Sequence, residues 1–155
     1  MRIRARRITP ENFARFGWVV TTPRGEPTSQ APEYRFWSDR AHYRIEGETE
    51  VGVCTVFRRA SGTVDGLERH LRTPEMLIPI DGPFVLPVLR AGDAATDLQA
   101  FRVAVGEAVV IEAGVWHGAC LPVGKRRASY FVVFRRSTPS EDVEKQRIEP
   151  QAIRA

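Results

Sequence analysis

The sequence predicts an all-β fold, an antiparallel β-barrel or two-sheet sandwich with one short helix near its start. Two observations carry the prediction. Nine short runs rich in β-branched and aromatic residues follow one another between residues 17 and 136, bounded by Gly, Pro and Asp. A single early helix signal precedes them. Many short strands separated by turn residues are the pattern of sandwiches and barrels.

The elements follow in order. "MRIRARR" alternates Arg2, Arg4 and Arg6 as a strand would, and reads as a solvated basic edge. Thr9 can cap a helix, Pro10 suits its first position, and "ENFARF" continues it until Gly17 stops it. "GWVVTTP" reads as a strand, and the polar, proline-rich "TTPRGEPTSQAPEYR" as a surface loop. The remaining strand runs are "HYRIEG", "VGVCTVFRR", "LERHL", "EMLIPI", "PFVLPVL", "LQAFRVA", "EAVVIEA" and "ASYFVVFRR". The tail after about residue 138 is expected to hold a short helix after Ser140 and then to be loosely held. Residues 1–155 read as one domain, with no internal repeat or linker.

Composition narrows the function. An apolar content of 43% and a charged content of 27% are ordinary for a globular protein. No window offers the roughly 20 apolar residues of a membrane helix, and no apolar stretch follows the basic start as a secretory signal requires. Cys54 and Cys120 are too few for a disulfide framework and match no zinc spacing, so a cytoplasmic protein with two reduced thiols is expected. The net charge is +4, but only Lys125 and Lys145 are lysine, and the arginines are scattered among acids. No binding stripe for nucleic acid emerges. Anionic small molecules are the expected beneficiaries of the surplus charge.

The stretch "LERHLRTPEMLIPIDG" holds Glu68, Glu75 and one of only three histidines inside strand-like sequence. Residues two apart share a strand face, so Glu68 and His70 point the same way. A turn at "RTP" would bring Glu75 back toward them. In "GEAVVIEAGVWHG", Gly114 permits a tight turn and His117 opens the next strand. Two His and two carboxylates inside a barrel could hold divalent nickel, manganese, iron or zinc. A metal-free site, with these side chains binding substrate directly, stays open.

The spacing resembles the two signature motifs of the cupin superfamily. Gly62 is followed by five residues, Glu68-Arg69-His70, four residues, Glu75, six residues and Gly82. Gly106 is followed by five residues, Glu112-Ala113-Gly114, two residues and His117. Glu68 stands where the motif has its first metal-binding His, and Glu112 where it has Pro. Together with "ITPENFARFGWVV", the stretches "LERH", "IPIDG" and "GVWHG" resemble the ureidoglycolate lyase family, a branch of the cupins. The family often has Leu-Gly-Ser/Thr-Gln where this chain has Arg72-Thr73-Pro74-Glu75. A second His commonly follows the Trp-His pair, where this chain has Gly118.

The resemblance implies a cupin-type jelly roll, a homodimer, and cleavage of ureidoglycolate to glyoxylate and urea in purine breakdown through allantoin. It implies Glu68, His70, Glu75 and His117 as the metal site, with Glu75 and His117 catalytic. It also implies Arg58 as a cationic partner for the substrate carboxylate. The substrate is a carbinolamide, whose cleavage removes a hydroxyl proton while one reaches the departing nitrogen. A divalent metal at the hydroxyl would lower its pKa. Glu75 or Glu112 would have to serve as proton acceptor, Glu112 otherwise touching substrate. Two other readings remain: a cupin that binds a small carboxylate without turning it over, and a metal-dependent cupin acting on another small acid.

Overall fold

The computed structural model describes residues 2–155. In chain order the first strands are β1 (Arg2–Arg4), β2 (Arg6–Arg7), β3 (Gly17–Val20), β4 (Ser29–Ala31), β5 (Tyr34–Phe36), β6 (Thr49–Phe57), β7 (Thr63–Arg69) and β8 (Glu75–Pro79). They continue with β9 (Phe84–Leu89), β10 (Gln99–Val103), β11 (Ala108–Ile111), β12 (Trp116–His117), β13 (Leu121–Pro122), β14 (Arg127–Arg135) and β15 (Glu144–Arg154). The α-helices are α1 (Pro10–Phe13) and α2 (Thr138–Glu141).

The all-β expectation holds. One sheet runs β1-β15-β7-β12-β9-β10-β2 with β13 attached to β9, and a second runs β3-β11-β8-β14-β6. All pairs are antiparallel except β1 with β15 and β2 with β10. Phe84, Leu86 and Val88 of β9, Leu77 of β8 and Val132 of β14 meet in the main core. A second cluster of Val64, Leu67, Leu89 and Leu98 packs with Ile3 and Ile153. Strand β9 is buried at every position because both clusters cover it.

Helix α1 forms as its sequence signals. The Asn12 N–H donates to Thr9 Oγ1 (3.1 Å), and the Thr9 N–H donates to Asn12 Oδ1 (2.9 Å). Gly17 has φ +149°, and a Cβ there would lie 1.9 Å from the Val110 carbonyl oxygen, so only glycine allows this approach of β3 to β11. The short helix packs Phe13 against Phe16 and Phe101, closing one end of the core with aromatic rings.

Four segments differ from expectation. The basic start is no free edge: β1 pairs with β15 and β2 with β10, so residues 2–7 bridge the two margins of the large sheet. Ile3 and fully buried Ile8 anchor that seam while the arginines face water. The proline-rich loop contains a small hairpin, β4–β5. "HYRIEG" has no ladder partner; its side chains make the contacts instead, His42 against Trp18 (4.5 Å between rings) and Tyr43 Oη to Met76 Sδ (3.3 Å). The tail expected to be loose is β15, an 11-residue strand held between β7 and β1, and the helix before it starts at Thr138. Among the described residues no helix is long and apolar enough to cross a membrane.

Candidate metal centre

Glu68 lies near the end of β7, His70 just beyond that end, and Glu75 is the first residue of β8. The turn between them therefore passes from the large sheet to the small one. His117 on β12 stands in register opposite Glu68. Gly114, at φ +83°, turns the chain into β12, and its N–H donates to the His70 carbonyl (2.6 Å), tying the two motif stretches together.

The four residues converge. One ligand atom each from Glu68, His70 and His117 lies within 4.8 Å of the others. Glu75 Oε2 is 3.0 Å from His117 Nε2 and 3.5 Å from His70 Nε2, and His117 Nε2 is 3.8 Å from Glu68 Oε1. His70, Glu75 and His117 are buried, whereas 44% of the Glu68 side chain is exposed. Glu68, His70 and Glu75 line a cleft of about 530 Å³ together with Phe134, Glu141 and Lys145.

Backbone carbonyls set both rings. His70 Nδ1 donates to the Asp142 carbonyl (2.7 Å) and His117 Nδ1 to that of Val115 (3.2 Å). A carbonyl can only accept, so each Nδ1 carries the proton and each Nε2 lone pair is left for the interior. That is the arrangement by which outer hydrogen bonds orient metal-binding imidazoles. Glu75 Oε2 and His117 Nε2 are buried and, although close, are not aligned in a hydrogen bond with each other or with any other group. Buried orphaned polar atoms require a partner, and a divalent cation among His nitrogens and carboxylates supplies one. Glu68, His70 and His117 fit such a cation.

The electrostatics agree. Burial alone would raise the Glu75 pKa, but the imidazoles of His117 and His70 outweigh it and hold the carboxyl down to about 2. Burial works against charge on both rings, yet the Glu75 carboxylate prevails and raises the pKa of His70 and of His117. A proton and a cation therefore compete for the same Nε2 lone pairs.

Arg58 and Glu112 do not join the group. Arg58 is exposed at the end of β6, its N–H bonded to the Arg126 carbonyl. Glu112 is exposed in the turn before Gly114, its N–H bonded to the Phe16 carbonyl. Neither lines the cleft.

Asp142 is the residue that sequence reasoning missed. Its carboxylate accepts from the N–H groups of Leu71 (2.9 Å) and Arg72 (2.8 Å) while its carbonyl holds His70. Nothing in motif spacing marks an acid 72 residues away.

The solved structures similar to this chain include a Bacillus subtilis oxalate decarboxylase with Mn(II) centres. It is 17% identical over 56% of this chain and 21% of that chain, with a TM-score of 0.44. The Lactobacillus farciminis oxalate decarboxylase formate complex is 17% identical over 62% and 26%, TM-score 0.47. Peruvianin-I, a cysteine peptidase from Thevetia peruviana latex, is 16% identical over 64% and 55%, TM-score 0.48. The chain thus spans about a quarter of the oxalate decarboxylase chains. No curated protein matches it in sequence. The model of the ureidoglycolate lyase family matches residues 1–154, and the chain belongs to that family.

Proposed function

We propose that the protein cleaves ureidoglycolate to glyoxylate and urea, in the allantoin branch of purine breakdown. Family membership supports the substrate. The observation that carries the chemistry is Glu75, a buried carboxylate held ionised between two imidazoles on the wall of the cleft. Glu68, His70 and His117 would hold a divalent cation (nickel, manganese, iron or zinc), which supplies Lewis-acid polarisation of the substrate hydroxyl when bound.

Glu75 stands beside that trio as the proton carrier. It takes the hydroxyl proton as the C–N bond breaks and the carbonyl of glyoxylate forms. The bonding pair leaves with the ureido nitrogen, and Glu75 returns the proton there, completing urea. Glu75 Oε2 stands 3.0 Å from His117 Nε2 and 3.5 Å from His70 Nε2, which keeps the proton carrier beside the atoms that would hold the cation. Phe134, with its ring edge-on to His70 at 5.9 Å, limits water at that wall.

The expected products are urea and glyoxylate in equal amounts without ammonia, because this elimination leaves the urea group intact. Glu75→Gln should lower the rate by about 10²- to 10⁴-fold. Ammonia in place of urea would mean hydrolysis of the ureido group. Glyoxylate binding without any urea release, whatever divalent metal is added, would make the protein a carboxylate-binding module.

The proposed location is the cytoplasm, in keeping with the free thiols of Cys54 and Cys120. The proposed assembly is a homodimer through β6. Among the described residues that strand pairs only with β14, and Val51, Val53 and Phe57 on its outer face are each about two-thirds exposed. An unpaired edge with an apolar face is protected when a second copy covers it. Light scattering should give twice the monomer mass for the wild type and the monomer mass for Val53→Glu.

A further inference from the structure

We infer that Lys145 anchors the substrate carboxylate, forming with Glu68 the mouth of the site. The inference rests on the lyase reading for the identity of the substrate, and on the structure for the subsite itself. Lys145 lies on β15 in register opposite Glu68 on β7, and register partners project from the same face of a sheet. Both residues line the 530 Å³ cleft that holds His70 and Glu75. Both also line an adjoining hollow of about 410 Å³ that reaches His117. The Lys145 side chain therefore stands at the ridge where the two openings meet.

The neighbouring cations are already engaged. Arg69 bonds Glu144 (2.6 Å) and lies over the Trp116 ring, 4.4 Å from its centroid. Arg147 bonds Asp65 (2.7 Å), while Arg72 and Arg135 approach Glu141 at 3.9 and 3.5 Å. The other lysine, Lys125, donates to the Asp81 carbonyl (2.7 Å). Lys145 is exposed and, among the described residues, makes no ion pair or side-chain hydrogen bond.

Charge balance gives that uncommitted ammonium a purpose. The cleft is lined by three acids, Glu68, Glu75 and Glu141, and Lys145 is its only cationic lining residue. A divalent cation at Glu68, His70 and His117 and the arginines beside Glu141 would offset negative charge deeper in, and Lys145 is the lining cation left free at the mouth for an entering anion. A lysine on a flexible stem can meet a carboxylate at the mouth and release it with the product, where a two-pronged arginine would hold both more rigidly. The chemical class recognised is a small monocarboxylate carrying a polar group on the adjacent carbon, as in ureidoglycolate and glyoxylate.

The test is steady-state urea release by the metal-loaded wild type, Lys145→Met and Lys145→Arg, with calorimetric titration of glyoxylate into each. Lys145 is exposed, so neither substitution threatens the fold. Loss of a charge-assisted contact should raise KM for Lys145→Met about tenfold to a hundredfold, with kcat within about twofold. The glyoxylate Kd should rise in parallel, and Lys145→Arg should recover most of both. A wild type that cleaves ureidoglycolate, with KM and glyoxylate Kd unchanged in Lys145→Met, overturns the anchor and leaves the lyase reading standing. A wild type that releases no urea overturns the lyase reading. Glyoxylate binding then decides the anchor alone: weaker binding by Lys145→Met upholds it, while equal binding, or none by the wild type, overturns it.

Discussion

The two buried histidines each give one ring nitrogen to a backbone carbonyl, but the carbonyls come from very different places. His117 uses Val115, two residues back in the same turn, at 3.2 Å. His70 uses Asp142, 72 residues further along, at 2.7 Å, and the same residue's carboxylate fastens the next two N–H groups of the turn. The His117 side of the site is thus shaped by local backbone geometry around Gly114. The His70 side depends on the C-terminal segment arriving correctly. Two ligands that look equivalent in the motif have unequal requirements for being in place, since a local turn forms with its own segment and a remote contact forms only with the whole fold.

The sharpest break in this comparison is removal of the rings themselves. His117→Ala and His70→Ala should each lower urea release by more than the roughly 10- to 100-fold that loss of an outer hydrogen-bond partner costs. Both variants should keep the wild-type β-sheet circular dichroism, and metal content measured on the purified variants should fall. Retention of full metal and activity in either one would exclude that ring from the site.

A smaller effect separates the two sides. Asp142→Ala removes two hydrogen bonds to a buried carboxylate and should cost about 3 kcal/mol of stability, read by urea denaturation. Metal affinity should weaken by about tenfold as the turn after His70 loses its two carboxylate bonds, the residue-142 carbonyl that holds the ring being retained. Gly114→Ala strains a residue at φ +83° and its N–H bond to the His70 carbonyl, and should cost about 1–2 kcal/mol while leaving the Asp142 carboxylate on the Leu71 and Arg72 N–H groups. Equal stability losses in the two variants would mean that the local and remote supports are equivalent after all.

The smallest effects belong to the residues outside the cleft. Arg58→Ala and Glu112→Gln should change stability by no more than about 0.5 kcal/mol. Both should leave the KM for ureidoglycolate unchanged. A large KM increase in Arg58→Ala, with none in Lys145→Met, would move the carboxylate anchor to the end of β6.

Much of this arrangement was legible in the chain before folding. The alternation in "LERHL", the break at "RTP" and the return at "EMLIPI" place Glu68, His70 and Glu75 together because strand period and turn length are local properties. Thr9, Pro10 and Asn12 announce α1 for the same reason: a capping box is satisfied within four residues. Arg58 and Glu112 were less accessible to such reasoning, because a motif position says which residue is near in sequence and not which face its side chain takes. "HYRIEG" alternates like a strand, yet it joins no ladder and is held by side-chain contacts to Trp18 and Met76.

Local chemistry therefore decided the strand type, the short capped helix and the approach of Glu68, His70 and Glu75 to one another, while His117 reaches them only through the pairing of β12 with β7. The closure of the large sheet through residues 2–7, the pairing of β15 with β7, and the arrival of Asp142 and Lys145 beside His70 and Glu68 were settled only by the tertiary structure. Each of those joins segments far apart along the chain, and no single segment encodes its partner. Pairing at that range is chosen by which combination buries the most apolar surface and satisfies the most backbone groups at once, a property of the whole chain.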